Sequence, residues 1–374
     1  MEILSLKPEA FGIDISDLSF KIIKLKKRGK SLSLASFGEE KIKPGVIAGG
    51  EIKEEEKLAW FIKEGIKKVK GEKLKTKYVV ASLPEEKAFL QVIQMPKMIE
   101  EDLKSAVIYE AENYIPLPIE EVYLDSQIVP PVFDHLDHFD VLIACLPQKT
   151  VDPYLNSFKL AGLEPIAFEI ESQAIARALI EDEVTDLPIL LIDLGATRTS
   201  FIIFSGHSLR FTSSIPVSSG NFTEIISKNL GVSLAEAERL KIKYGLGEKV
   251  KIEIGNKKAE LKRERGKIFE ALIPALVDLV QQIRKHLDYY QTHASHEHLP
   301  PDGKGVSKIL LCGGGANLKG LPELLTLELK LPAEIGNPWI NVLGEKREAP
   351  ELSSEESLKY TTAIGLALRG IREK

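Results

Sequence analysis

The sequence predicts an α/β protein of two related halves carrying a small α+β insert, on three observations. A unit of strand, acidic residue, polar tight turn and strand occurs twice, at Phe11–Leu25 and again at Ile189–Ser205. A short apolar strand, Ile309–Leu311, runs into Gly313-Gly314-Gly315 ahead of a helix. Between Pro84 and Pro153 the order becomes strand, helix, strand, strand, helix, as in a compact α+β piece added to one side of a larger fold. With 374 residues, 44% of them hydrophobic, the chain has material for two or three cores.

Periodicity places the elements. The opening hairpin is followed by a strand at Ser31–Phe37. An amphipathic helix follows at Lys53–Val69, with Leu58, Phe61, Ile62, Ile66 and Val69 on one face and its lysines in solvent. Tyr78–Leu83 is a strand closed by Pro84. In the insert, strands fit Lys87–Gln94, Tyr123–Val129 and Asp140–Pro147, and a helix runs from Glu100 to Tyr114, stopped by Ile115-Pro116-Leu117-Pro118. A helix near Val151–Ala161, a strand at Leu163–Ile170 and a helix at Glu171–Ile180 come next. The acidic break Glu181–Asp186 with Pro188 reads as an interdomain linker. The second half has strands at Ile189–Leu194 and Ser200–Ser205 and helices at Gly220–Leu230, Leu234–Tyr244 and Ile268–Ala294. A single closing helix is expected at Ser357–Arg369.

Composition narrows the classes. A net charge of −5 gives no global attraction for nucleic acid. The two cysteines, Cys145 and Cys312, lie in apolar runs and read as buried hydrophobes, not as a disulfide framework. No stretch approaches the ~20 apolar residues of a membrane span. The first nine residues carry Glu2, Lys7 and Glu9 without an apolar signal core, so a cytosolic protein is expected.

The repeated hairpin carries the chemistry. Its first copy is Gly12-Ile13-Asp14-Ile15-Ser16, and its second, about 180 residues on, is Ile192-Asp193-Leu194-Gly195-Ala196-Thr197. Small residues in such a turn let backbone N–H groups close around phosphate oxygens. An aspartate at the strand end suits a hydrated Mg²⁺, which takes few carboxylates plus phosphate oxygens. Two facing hairpins would grip a triphosphate from both sides, although either one alone is also what an ordinary turn looks like. The triple glycine lets backbone approach a ligand with no Cβ in the way.

Together these features resemble the actin-like ATPase superfamily, whose members include actin, Hsp70, sugar kinases and bacterial cell-division and pilus proteins. Its phosphate hairpins look like Gly12–Lys21, with Asp14, Ser16, Ser19 and Lys21, and Asp193–Thr199, with Gly195, Ala196, Thr197 and Thr199. Its adenosine loop looks like Gly313, Gly314 and Gly315. Its ribose-contacting helix looks like Glu236–Lys241, where Glu238 and Lys241 share one face; a surface ion pair is the other reading of that spacing. Glu171, opening the helix after Leu163–Ile170, stands where these proteins place the residue that orients the hydrolytic water. An ordinary helix-terminal acid is the alternative.

The resemblance narrows to the type IV pilus assembly protein PilM family over nearly the whole chain. It rests on Glu110–Pro118, on Ala161–Pro165 with the helix Glu171–Ala178, on Ile215–Thr223 leading to Glu236–Lys241, and on Thr361–Arg369. It implies an actin-like two-domain ATPase fold with a small α+β inserted subdomain of the FtsA/PilM type, ATP and Mg²⁺ as cofactors, and Asp14 and Asp193 at the metal. It implies first-domain segments 1–83 and 154–187 around the insert 84–153. Second-domain segments are then 188–225, 226–305 and 306–374, the closing helix among them. It further implies a cytoplasmic component of the pilus inner-membrane platform, recruited to the inner face of the cytoplasmic membrane. There it would bind the cytoplasmic N-terminal peptide of a PilN-like membrane protein in a groove bordered by the insert, with homo-oligomers as a further expectation. Competing classes are an FtsA-like cell-division protein, a small-molecule kinase on the same fold, and a nucleotide-free scaffold. ATPase activity, if any, is expected to be slow.

Two positions depart from the family pattern. Asp17 in the first hairpin would place a negative charge beside the phosphates or serve the metal, and Ser218-Ser219 stand where two glycines are common. The histidines His286, His293, His296 and His298 read as a solvated linker, with no cysteine near to make a metal site.

Overall fold

The computed structural model describes residues 9–29, 31–131, 137–247, 259–293, 305–343 and 351–372. The chain divides into two units: residues 1–186, 204–212 and 337–374, and residues 187–203 with 213–336.

The first unit opens with β1 (Phe11–Ile15), β2 (Ser19–Arg28) and β3 (Ser31–Lys41), then the small ribbon β4 (Ile47–Ala48) and β5 (Glu51–Ile52). Helix α1 (Glu55–Lys67), β6 (Lys70–Gly71) and β7 (Tyr78–Leu83) follow. The insert holds β8 (Phe89–Pro96), α2 (Glu100–Ala111), β9 (Val122–Ile128) and β10 (His138–Pro147). The chain returns through α3 (Gln148–Ala161), β11 (Glu164–Ile170) and α4 (Glu171–Leu179). The six-stranded sheet has the order β11-β7-β1-β2-β3-β6, with β1 antiparallel to β2 and parallel to β7. β1 is buried along its whole length, because helices cover this region of the sheet. The insert forms its own sheet, β8-β10-β9, over a core of Ile93, Leu103, Val107, Val141 and Ile143. Ile115, between the end of α2 and the Pro116/Pro118 stop, joins that core.

The second unit is built on β12 (Thr185–Leu194), on β13 (Thr199–Gly206) and β14 (Ser208–Ile215), whose residues 204–212 group with the first unit, and on α5 (Ser219–Leu230), α6 (Leu234–Tyr244) and α7 (Ala259–His293). β15 (Lys308–Cys312), α8 (Leu321–Leu329) and β16 (Ala333–Ile335) complete it. Its sheet order is β14-β13-β12-β15-β16, with β12 and β15 parallel. The acid-bearing strand thus has the same neighbours in both units: a hairpin partner on one side and a parallel strand on the other.

After β16 come α9 (Ile340–Leu343), α10 (Ser354–Leu358) and α11 (Thr361–Arg372). The expected single closing helix is therefore two, separated at Lys359-Tyr360. α10 starts on a capping box, in which the Ser353 side chain and Glu356 satisfy each other's backbone N–H groups. The segment also groups with the first unit, not with the second domain as expected. Its apolar face packs on β1, β2 and α4, with Trp339 fully buried in the same cluster. The presumed linker Glu181–Asp186 is in part the start of β12, although the boundary between the units does fall at Asp186/Leu187.

The fit of α11 is close enough to need glycine on both sides. A Cβ on Gly12 of β1 would lie 2.4 Å from the Ala363 carbonyl oxygen, and one on Gly365 of α11 would lie 1.8 Å from that of Ala174. Helix propensity alone would make Gly365→Ala stabilising by up to ~1 kcal/mol. Packing reverses the sign, and a loss of about 1–3 kcal/mol is expected on denaturant unfolding.

Candidate functional site: two acid-bearing hairpins, a glycine loop and a groove

In the first unit, Asp14 is 6% exposed and sits near the end of β1, opposite Lys21 in the β1–β2 register. The Ser82 hydroxyl at the end of β7 donates to Asp14 Oδ1 at 3.2 Å and accepts from the Ile15 N–H at 2.9 Å. Lys21 Nζ stands 3.7 Å from Asp14 Oδ2. The turn closes on itself: the Ser16 N–H and hydroxyl both donate to the Ser19 carbonyl, each at 2.9 Å. Asp17 of this turn also holds a neighbouring turn. Its carboxylate accepts the N–H groups of Gly49 and Gly50, at 3.1 and 3.0 Å, and so ties the β4–β5 turn to the hairpin. Both glycines have positive φ, so this turn is one that L side chains resist.

Tyr154 of α3 lies under the same region, its hydroxyl donating to the Gly50 carbonyl at 3.0 Å. Burial pushes the phenol far above its ordinary range, and the charges of Glu171, Asp17 and Asp14 push it the same way. The structure therefore brings Glu171 into the neighbourhood of the first hairpin. Glu171 is the first residue of α4, and its Oε2 lies 3.5 Å from the Glu85 N–H.

In the second unit, Asp193 pairs in register with Cys312 at the end of β15. The hairpin and the glycine loop press together so tightly that a Cβ on Gly313 would meet Asp193 Oδ1 at 2.1 Å. One on Gly315 would meet the Leu194 side chain at 2.5 Å. Gly313 also has a positive φ of 80°, and Gly314 lies at the surface in a short 3-10 turn, Gly314–Asn317, ahead of α8. The Gly195 N–H bonds the Arg198 carbonyl at 2.9 Å to close the hairpin turn. The start of α5 rests on that turn: the Ser219 N–H donates to the Gly195 carbonyl and the Gly220 N–H to that of Ala196, at 3.0 and 3.1 Å. Ser218 in place of a glycine has a physical role, since its hydroxyl caps α5 by accepting the Asn221 N–H. Thr199 is buried, and its hydroxyl donates to the Val217 carbonyl at 2.7 Å. Thr197 is half-buried in the turn and Ala196 exposed.

Glu238 and Lys241 do share a face of α6 and form an ion pair at 2.8 Å. Lys241 is buried and donates to the Ser219 carbonyl, the Ser219 hydroxyl and the Thr223 hydroxyl, each at 2.8 Å. Burial pulls its ammonium below the usual lysine range, against the opposing effect of Glu238. Lys241 thus ties α6 to the first turn of α5, while Glu238 stays half-exposed beside it. Sequence periodicity placed the pair on one face without showing what that face meets.

A groove bordered by the insert lies wholly in the first unit. It has a volume of about 770 Å³, and its walls are β9 on one side and β11 on the other. These are the edge strands of the insert's sheet and of the six-stranded sheet, each hydrogen-bonded to a neighbour on one side only. Leu142, Leu146, Val151, Leu155 and Phe168 are among the apolar residues that line it. At one wall Glu169, almost fully buried, holds both Arg177 and Arg369. Tyr123 of β9 reaches α3 by donating to Asp152 Oδ1 at 2.9 Å.

The remaining candidates are structural. His286 packs on Phe201, contacts the Gln282 carbonyl and the Ser213 hydroxyl, and is pushed toward its neutral form by burial. His293 stacks on Tyr289, and His296 and His298 lie outside the described residues. Among the described residues no group of three or more His, Cys, Asp or Glu side chains could hold a metal ion. Cys145 and Cys312 are buried free thiols, and burial pushes Cys145 up to about 11.

This architecture is the actin-like fold. Solved structures share it across nearly the whole chain, among them MreB 5 of Spiroplasma citri bound to AMPPNP, 14% identical with a TM-score of 0.54 over 98% of this chain and 96% of that one. A family described as type IV pilus assembly protein PilM matches residues 12–371, and the chain belongs to that family. It is similar to a solved PilM-PilN type IV pilus biogenesis complex, at 29% identity and a TM-score of 0.77, covering 98% of this chain and 99% of that one. The cell division protein FtsA of Pseudomonas aeruginosa is 25% identical over 222 residues, which is 57% of this chain and 49% of FtsA. The chain spans about half the length of the curated relatives it matches.

The Lys241 cluster makes a direct forecast. Lys241→Met leaves Glu238, Thr223 and the Ser219 carbonyl without their buried donor, so unfolding in denaturant should show a loss of about 1–3 kcal/mol.

Proposed function

We propose that this PilM-family protein is a cytoplasmic ATP-binding component of the type IV pilus inner-membrane platform that carries the N-terminal peptide of a PilN-like membrane protein. The observation that carries the partner reading is the groove between β9 and β11. The edges of two strands frame an apolar trough, which suits an extended peptide that pairs by its main chain and buries alternate side chains. The similarity to a solved PilM-PilN complex supports a PilN-like occupant. Among the described residues no helix is long and apolar enough to cross a membrane, and a peptide from a membrane protein would recruit the chain to the inner face.

ATP with Mg²⁺ is the proposed ligand, and each unit by itself carries a candidate phosphate hairpin, with the glycine loop beside the one in the second unit. The close approach of Gly313 and Gly315 to Asp193 and Leu194, where any Cβ would clash, keeps the loop's backbone against the Asp193 hairpin and supports this. Asp14 and Asp193 would hold the metal's waters. Mg²⁺ bound this way needs only one or two protein carboxylates, because phosphate oxygens complete its shell. Glu171 would orient a water in line with the γ-phosphate, with slow turnover serving a protein that holds one conformation during assembly.

Two measurements test the reading. Asp193→Ala should weaken ATP binding at least tenfold, about 1.4 kcal/mol, by calorimetry; equal affinity in both proteins would remove the hairpin from the site. Leu155→Asp, which puts a charge in the trough, should weaken a synthetic PilN N-terminal peptide at least tenfold in fluorescence anisotropy and leave ATP affinity unchanged. A peptide that binds the variant as tightly as the wild type places its site elsewhere.

A further inference from the structure

One buried acid has no part in the proposed site as described so far. Glu85 opens the short 3-10 turn Glu85–Lys87 after β7 and is 4% exposed. Burying a carboxyl costs several kcal/mol unless it is hydrogen-bonded or neutral, so such a position calls for an explanation. The explanation lies at the start of α4. That helix has Ile170 as its N-cap, a residue with no side-chain acceptor, so its first N–H groups lack the usual local partner. Glu85, distant in sequence, supplies it: Oε2 accepts the Ser172 N–H at 3.2 Å. In return the Glu85 backbone N–H points to Glu171 Oε2 at 3.5 Å. The two acids therefore hold each other reciprocally, much as the two members of a capping box do, but across two separate elements.

We infer that Glu85 is a positioning residue that fixes the carboxylate of Glu171 for its work on the attacking water. The inference rests on the reading of Glu171 given above. Holding the Ser172 N–H fixes the backbone next to Glu171, and the Glu85 N–H restrains the carboxylate itself. Thr212 of β14, which belongs to the same unit, adds a side-chain hydrogen bond to Glu85. Burial pushes the Glu85 carboxyl up, with the hydrogen bonds from Ser172 and Thr212 opposing. Misplacing a catalytic group by about 1 Å can cost ~100-fold in rate, which is why such a support matters more for turnover than for binding.

The test is single-turnover hydrolysis of labelled ATP together with ATP affinity by calorimetry, in the wild type and in Glu171→Ala, Glu85→Ala, Glu85→Asp and Glu85→Gln. Glu85→Ala and the shortened Glu85→Asp should each slow turnover at least tenfold with ATP affinity within twofold. Glu85→Gln, neutral and of the same shape, should stay within threefold of the wild-type rate. A plain capping role would lower the melting temperature and leave the rate per folded molecule unchanged, and that result overturns the inference. If Glu85→Ala does not fold by circular dichroism, Glu85→Asp against Glu85→Gln carries the comparison. Wild-type rates in all Glu85 variants with turnover lost in Glu171→Ala sink the role of Glu85 alone. Unchanged turnover in Glu171→Ala, or none in the wild type, sinks the role of Glu171 and this inference with it.

Discussion

The close backbone contact of α11 with β1 and α4 is the constraint on which the first unit depends. Gly12 and Gly365 remove the two side chains that would separate these elements, so a helix near the end of the chain lies almost directly on the strand that bears Asp14. Dense packing of this kind has little slack, since interiors tolerate neither gaps nor extra methylenes without loss. The same helix supplies Arg369 to Glu169, and its Gly365 carbonyl accepts from Arg177 of α4 at 3.4 Å. Strand β1, helix α4 and the groove wall at Glu169 are thereby held by one element, which places Asp14, Glu171 and the groove on a common rigid support.

Both hairpins use the same local physics with different partners. Asp14 is oriented by a hydroxyl from the parallel neighbour β7, and Asp193 lies close against the glycine loop that follows its parallel neighbour β15. In each unit the acid stands near the carboxyl end of a strand flanked by a parallel strand, the position where α/β sheets open to ligands. Several of the polar side chains around these acids are engaged within the protein. Ser16 closes its own turn, Thr199 bonds Val217, and Lys241 holds the start of α5.

The insert adds a second kind of surface. Its sheet ends in an edge strand, β9, near the edge strand β11 of the main sheet. Edges of this kind are liabilities in a soluble protein unless covered, and a groove between two of them is a natural place for a peptide strand. Arg210, from the tip of the β13–β14 hairpin, bonds Asp140 of β10 at 2.6 Å with both side chains nearly buried. Losing either partner would strand a buried charge, so the pair specifies where the insert sits as well as adding attraction.

Periodicity and turn chemistry in the sequence determined most of the element order, though not β14 or β16, together with the two hairpins at Asp14 and Asp193, the glycine loop and the insert with its Pro116/Pro118 stop. These are local signals: apolar spacing, acids at strand ends, and glycine where backbone must come close. The family was legible for the same reason, because its motifs are contiguous. Tertiary structure alone decided the matters that depend on distant partners. It assigned the closing segment to the first unit, turned Asp17 onto the Gly49-Gly50 turn, aimed Lys241 at α5 and set Glu85 against Glu171. It also opened the groove between β9 and β11. The physical reason is that a side chain's role is set by what packs opposite it, and sequence spacing specifies which face a residue occupies but not which element arrives there.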